Sequence, residues 1–212
     1  MVTLYVEGGG ETAALKTACR KGFTAFITKA GISKRPRIVA CGSRADAFDS
    51  YCTAVANGQP AVLLVDSEGP IAPVHQQGVD ATQWQPWHHL KNRPGDGWDK
   101  PAGVPDTDCH LMVQCMESWL IVDRATLSGF FGQGFQANQL PAIGNPSEGV
   151  AKANIYASLA NATKNCKTKS QYGKGEHSFQ LLADISPRPV IAASPWAKRF
   201  VEELKKTMDA AP

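Results

Sequence analysis

The apolar positions in the first third of the chain change period repeatedly, and each change marks an element. Val2 to Val6 is a short β-branched and aromatic run closed by three glycines. From Glu11 to about Ala30, Leu15, Cys19, Phe23, Phe26 and Ile27 recur at helical spacing, and Gly31 ends the pattern. Pro36 precedes a second strand, Arg37 to Cys41. Gly42-Ser43 then opens a helix through Ala45, Phe48, Tyr51, Cys52 and Val55, which Asn57-Gly58 stops. AVLLVD follows, an unbroken apolar run ending in an acid, as in a strand buried on both faces of a parallel sheet.

The order strand, helix, strand, helix, strand predicts right-handed crossovers and an α/β fold with a mostly parallel central sheet flanked by helices. Gly69 to Asp108 breaks the pattern with Pro, Gly, Trp and His, and reads as a long loop insertion. His110 to Met116 resumes an apolar strand, and Glu117 to Phe131 reads as a helix. A Pro/Gly/Asn-rich connection spans Asn138 to Ser147, and helical patterns return at Val150–Thr163, Phe179–Ile185 and Trp196–Met208. The expected organisation is a core over residues 1–135, including the insertion 69–108, with a helical C-terminal extension over 136–212 packed on it.

Composition adds bounds. With 212 residues, 43% hydrophobic and 19% charged, the chain suits one globular core and not two ordinary domains. A net charge of +3 neither demands nor excludes nucleic acid. None of the six cysteines forms a CxxC pair, and no Cys/His spacing suits structural zinc. Reduced core thiols are expected, and with them a cytoplasmic location. The opening VTLYVEGGGE does not read as a signal peptide, and no apolar run reaches the roughly 20 residues of a membrane helix.

The candidate chemistry lies at strand ends. The first strand ends at Val6-Glu7, and the third at Asp66-Ser67-Glu68. In a parallel sheet these ends share one edge, and two acids two residues apart in extended backbone point to one side. Three carboxylates converging there repel one another unless a cation lies between them, and hard oxygen ligands suit magnesium or manganese. Such a site can activate water against a phosphodiester. Glu11, on the first turn of the next helix, and Glu117, at the end of the fourth strand, are further candidate ligands. Gly8 and Gly9 offer backbone amides for phosphate.

Glu7, Asp66 and Glu68 resemble the acidic motif of the TOPRIM fold of topoisomerases, primases and OLD-type nucleases, with a glutamate after the first strand and a DxD-like pair after the third. Glu68 departs from that pattern, standing where the second aspartate is expected. Glu11 resembles the second acid of the ExxxE of OLD-type nucleases, which implies a two-metal site. The segments YVEGGGE, RPRIVACGSR, LLVDSEGP, HLMVQCMESWL, YGKGEHSF and SPWAKRF are also similar to a bacterial family of TOPRIM-like proteins. Its members tend to be encoded beside ABC- or AAA-type ATPases in phage-defence loci. The resemblance implies a TOPRIM-like fold and a magnesium-dependent effector nuclease working with an ATPase. The competing expectation is a non-catalytic docking subunit for that ATPase.

Other features carry two readings each. Lys167 and Lys169, with Lys164 and Lys174, form a basic run that can track a phosphate backbone or simply face solvent. Lys174 and His177 can stabilise charge on a scissile phosphate, or belong to a solvated loop and a helix cap. Arg44 can hold a phosphate or pair with an acid. Trp84, Trp87, His88, His89 and Trp98 can stack on bases or a partner, or pack the insertion onto its own sheet.

Overall fold

The computed structural model describes residues 1–142 and 147–211. Residues 143–146, part of the expected Asn138–Ser147 connection, lie outside the described residues. Four strands, β1 (Thr3–Val6), β2 (Arg37–Ala40), β3 (Ala61–Asp66) and β4 (Cys109–Met112), form one all-parallel sheet in the order β2-β1-β3-β4. Helix α1 (Ala13–Lys29) joins β1 to β2, and α2 (Arg44–Ala56) joins β2 to β3. The result is a Rossmann-like α/β fold, as the alternating pattern predicts.

Each strand sends alternate residues to opposite faces. Leu4, Val6, Val62, Leu64 and Met112 pack towards α1 and the C-terminal helices. Leu63, Val65 and Leu111 pack towards Ala47, Tyr51 and Ala54 of α2 and towards Trp87. All six residues of β3 are buried, as expected for a strand covered on both sides.

The insertion is ordered by its aromatic residues. It contains the short helix α3 (Pro86–Asn92). Trp87 is buried on Tyr51, Trp98 stacks on Phe48 at 4.5 Å, and Trp84 packs on Trp196 at 4.9 Å. His89 is buried and its Nε2 donates to the Ser67 carbonyl at 2.9 Å. Packing of the insertion onto its own sheet is therefore the reading that holds. Buried Arg199 adds a clasp by donating to the carbonyls of Ala81, Cys109 and Asp106.

Two expected elements are revised. The fourth strand stops at Met112, four residues short of Met116. The helix expected over Glu117–Phe131 is two, α4 (Glu117–Leu120) and α5 (Arg124–Phe131). Asp123 causes the break: its carboxylate accepts from the Thr126 backbone amide as the N-cap of α5, and from the Ser186 amide across the fold. Beyond the described gap come α6 (Lys152–Thr163), α7 (Ser178–Asp184), α8 (Pro187–Ala193) and α9 (Pro195–Ala210). Helix α8 carries two prolines in its first turn, where proline is tolerated, and these mask it in the sequence. Helix α7 lies along α1, and α9 packs on β4. All six cysteines are free, and no described helix is long and apolar enough to cross a membrane.

Candidate metal centre

The chain leaves β1 towards β2 on one side and returns to β3 on the other. The crevice between the carboxyl ends of β1 and β3 is thus the topological switch point, where open α/β sheets bind ligands. Glu7 follows β1 and Asp66 ends β3, so both acids sit at that crevice. One carboxylate oxygen from each of Glu7, Asp66 and Glu68 lies within 4.8 Å of the others, and the three can hold a metal ion.

Glu68 reaches the cluster by a different route from the one its spacing suggests. Strand β3 ends at Asp66, and Glu68 takes a left-handed backbone with φ +64°. That conformation is costly for a residue with a side chain. It is held because the Glu68 amide donates to the Gln114 carbonyl, while the Gln114 amide donates to Ser67 Oγ at 2.7 Å. Gln114 is itself left-handed, at φ +59°. A locked pair of tight turns, rather than the pleat of a strand, aims the third carboxylate.

The surroundings are strongly polarised. Asp66 is only 3% exposed; its Oδ1 accepts from the Met116 amide at 2.8 Å. Burial pushes its pKa well above the usual carboxylate range, and the neighbouring Glu7 and Glu117 add to the rise against Lys152 and Lys174. Glu7 Oε2 accepts from the Asp66 amide at 2.9 Å. Burial raises its pKa too, opposed by that hydrogen bond and by Arg44. Burial makes the charged form of these acids costly, and a cation bound among them would stabilise it.

Lys152, which sequence reasoning missed, is the cation the fold supplies. At the first position of α6, its Nζ lies 2.6 Å from Glu68 Oε1 and 3.5 Å from Asp66 Oδ2. Burial lowers its pKa, but Asp66 and Glu68 outweigh burial and hold it above the ordinary lysine range. Gln114 sets its position, since Gln114 Oε1 accepts from the Lys152 amide and Gln114 Nε2 donates to the Glu148 carbonyl. A lysine opening a helix is ordinary in sequence, so no local signal marks it.

The other predicted site residues divide. Glu117 is at the start of α4 rather than a strand end, and is fully buried. Its carboxylate accepts from the hydroxyls of Tyr156, Tyr172 and Ser178. Glu117 and the exposed Lys174 line, with Glu7, Asp66 and Gly8 to Gly10, a cavity of about 280 Å³ beside the triad. Glu11 is not in the first turn of α1: Thr12 is the N-cap, and Glu11 lies outside the helix, exposed and apart from the converging oxygens. The Gly8 amide is not free, because it donates to the Gly42 carbonyl. Gly9 serves as a close-approach position, since a Cβ there would lie 2.9 Å from the Lys16 Cα.

Arg44 is committed elsewhere than to a phosphate. It grips Asp96 of the insertion through both terminal nitrogens, at 2.7 and 2.9 Å, and its Nε donates to the Asp66 carbonyl and lies 3.4 Å from Glu7 Oε2. It fastens the insertion to the acidic edge. His177 is buried among Phe130, Phe131 and Tyr172, and its Nδ1 accepts from the Gly173 amide. It lines no part of the cavity. Burial lowers its pKa, and a neutral ring stapling the turn before α7 fits that setting. Lys167 and Lys169 are exposed and also lie off the cavity, Lys169 resting over the Phe130 ring.

Comparison with known proteins identifies one family. The family described as a domain of unknown function (DUF4276) matches residues 6–205. No curated protein and no solved structure matches the chain.

Proposed function

The chain belongs to the DUF4276 family, and from its acidic edge we propose that it is a divalent-metal-dependent phosphodiesterase, a nuclease with a TOPRIM-like core. The observation that carries this reading is the convergence of Glu7, Asp66 and Glu68 oxygens within 4.8 Å at the switch point of a parallel sheet. All three donors are hard oxygens, which suits magnesium or manganese over zinc or copper. The metal, when bound, would polarise a phosphoryl oxygen and generate a nucleophilic hydroxide.

The chain's own residues supply the rest. Asp66 and Glu7 present charge in a buried crevice, where electrostatic contacts are stronger than in water. Exposed Lys174, at the cavity beside them, neutralises charge on an incoming phosphate. Glu117 fixes the hydroxyls of Tyr156 and Tyr172 behind the cavity and of Ser178 on its wall. An antiphage role beside an ABC- or AAA-type ATPase rests on the similarity of the segments quoted above.

A second reading has its own observation. The Lys152 ammonium already compensates Glu68 and Asp66. A self-neutralised acidic edge suits a docking subunit that regulates the ATPase without cutting anything.

Calorimetric titration with magnesium and manganese separates the two, joined to cleavage assays on tRNA, plasmid and single-stranded DNA with the ATPase present and absent. The nuclease reading expects metal binding and metal-dependent cleavage, both lost in Asp66→Asn while its circular dichroism is unchanged. Absence of binding at millimolar metal, with a stable complex to the ATPase, would establish the docking reading instead.

A further inference from the structure

Helix α1 has two faces. Cys19, Phe23, Phe26 and Ile27 are buried against the sheet and α7. The outward stripe is polar, and it forms one side of a shallow groove lined by Arg20, Lys21, Lys29 and Arg35, with Thr17, Thr24 and Thr28 between them. Four cations and three threonines line the groove, mostly through their aliphatic stems, and no carboxylate lines it. The sequence explains the bias: between Glu11 and Asp46 the chain has no acidic residue.

Lys91, Arg93, Lys100, Lys152, Lys198 and Lys206 each pair with an Asp or Glu. Among the described residues, none of the four groove cations does. Lys29 donates to the carbonyls of Ala183 and Asp184, which satisfies its hydrogen bonds but leaves its charge unmatched by an acid in the groove.

The groove and the acidic cavity lie on different faces of α1, since Thr17 lines the groove and Leu15, two residues earlier, lines the cavity. From Thr17 to Lys29 the helix rises about 18 Å, the axial span of about five phosphates along one strand of a duplex. We infer that this basic groove holds the phosphate backbone of nucleic acid.

The inference rests on the nuclease reading for what happens at the acidic edge, but binding stands apart from cleavage. The groove surface is formed by aliphatic stems of basic residues and threonines, and Ala25 is its one apolar residue, so no large apolar side chain lines it. That argues against a membrane surface, since an interfacial helix needs large apolar side chains next to its basic ones, and those of α1 are buried in the core. Contacts of cations and hydroxyls with phosphate carry no sequence information, so recognition here is of backbone and not of bases.

The test is fluorescence anisotropy in EDTA, where no metal-dependent cleavage occurs, with labelled 30-mers of duplex DNA, single-stranded DNA and RNA. The full-length chain should bind at least one of them. For the duplex, four phosphate contacts correspond to a log–log salt slope of about −3.6. Arg20→Gln with Lys21→Gln should lower the slope by about 2 and weaken binding roughly 50-fold at 0.1 M salt, taking the two curves to meet near 1 M. Lys198→Gln with Lys205→Gln, on α9 and outside the groove lining, changes net charge equally and should leave affinity and slope near wild type. The proposal is overturned if the wild-type chain binds none of the probes. It is equally overturned if both double variants weaken binding alike, or if the groove variant changes nothing. Binding that survives in Asp66→Asn without cleavage would leave the groove intact even if the nuclease reading fails.

Discussion

Lys152 Nζ and Glu68 Oε1 are 2.6 Å apart, joining residues 84 positions apart in the chain at the fold's acidic edge. Lys152 holds a position that a metal ion would contest. Lys152→Met should therefore weaken the metal-free protein and strengthen its hold on divalent ions. The pair is partly solvated, so the loss of stability is about 1–2 kcal/mol, below the cost of breaking a fully buried pair. Removing one positive charge from beside three carboxylates should tighten magnesium at least tenfold, about 1.4 kcal/mol. Thermal melts with EDTA or magnesium, and calorimetry, read both. Unchanged magnesium affinity in the variant would show that lysine and metal do not compete.

Glu117 decides between one metal and two. Its carboxylate already accepts three hydroxyl hydrogen bonds in a fully buried site. The expected stoichiometry is one divalent ion per chain, held by Glu7, Asp66 and Glu68, and Glu117→Gln should leave it at one. Glu117→Leu should cost about 2–4 kcal/mol, because it strands buried hydroxyls. A wild-type stoichiometry of two that falls to one in Glu117→Gln would assign Glu117 to the metal instead.

Gly9 tests how tightly the chain just past β1 approaches α1. Its φ is +90°, and an added Cβ would meet the Lys16 Cα at 2.9 Å, a backbone contact that cannot rotate away. Gly9→Ala should destabilise the fold by about 2 kcal/mol or more. It should also weaken metal binding, because the chain just past Glu7 must shift. Gly58→Ala has φ +68° but open space, so it should carry the backbone cost alone and spare the metal site. Urea midpoints and metal titrations of the two variants separate strain from displacement.

Asp108, away from the acidic edge, sets a pH dependence. Burial raises its carboxyl to about 6, partly opposed by Lys100. An unfolded aspartate titrates near 4. Between about pH 4 and 6 the native state holds this proton while the unfolded chain releases it, so stability falls as pH rises through that window, and the loss is complete above it. The site is partly solvated, so the expected loss is about 1 kcal/mol, less than a fully buried carboxyl would show. Asp108→Asn should remove this slope and gain about 1 kcal/mol at pH 7. Urea midpoints at pH 4, 5, 6 and 7 test it; parallel curves for the two proteins would refute the assignment.

The period of the apolar positions identifies β1, α1, β2, α2 and β3, because each burial pattern there is local and unbroken. It fails at Glu117–Phe131, where apolar residues continue through a break made by Asp123 reaching Ser186. It also misses α8, whose prolines read as loop although they occupy a first turn. His177 is legible as a histidine in a basic, glycine-rich stretch, yet it packs into an aromatic cluster off the cavity. Residue type signalled chemistry there, and packing directed the side chain elsewhere.

By itself the sequence determined that β1 and β3 run parallel and end in acids, and hence that Glu7 and Asp66 meet on one sheet edge. Strand direction follows from alternating element order, and an acid at a strand end needs no distant partner to be placed. Only the tertiary structure decided what surrounds them. Lys152 is 86 residues from Asp66, Arg44 is drawn off to Asp96, Glu117 is enclosed by three hydroxyls, and Glu68 is aimed by a left-handed turn locked to Gln114. Apolar periodicity records which side of an element is buried, not which distant polar group will meet it. Those pairings are settled when whole elements pack, because buried charges and amides must find partners where the core leaves them.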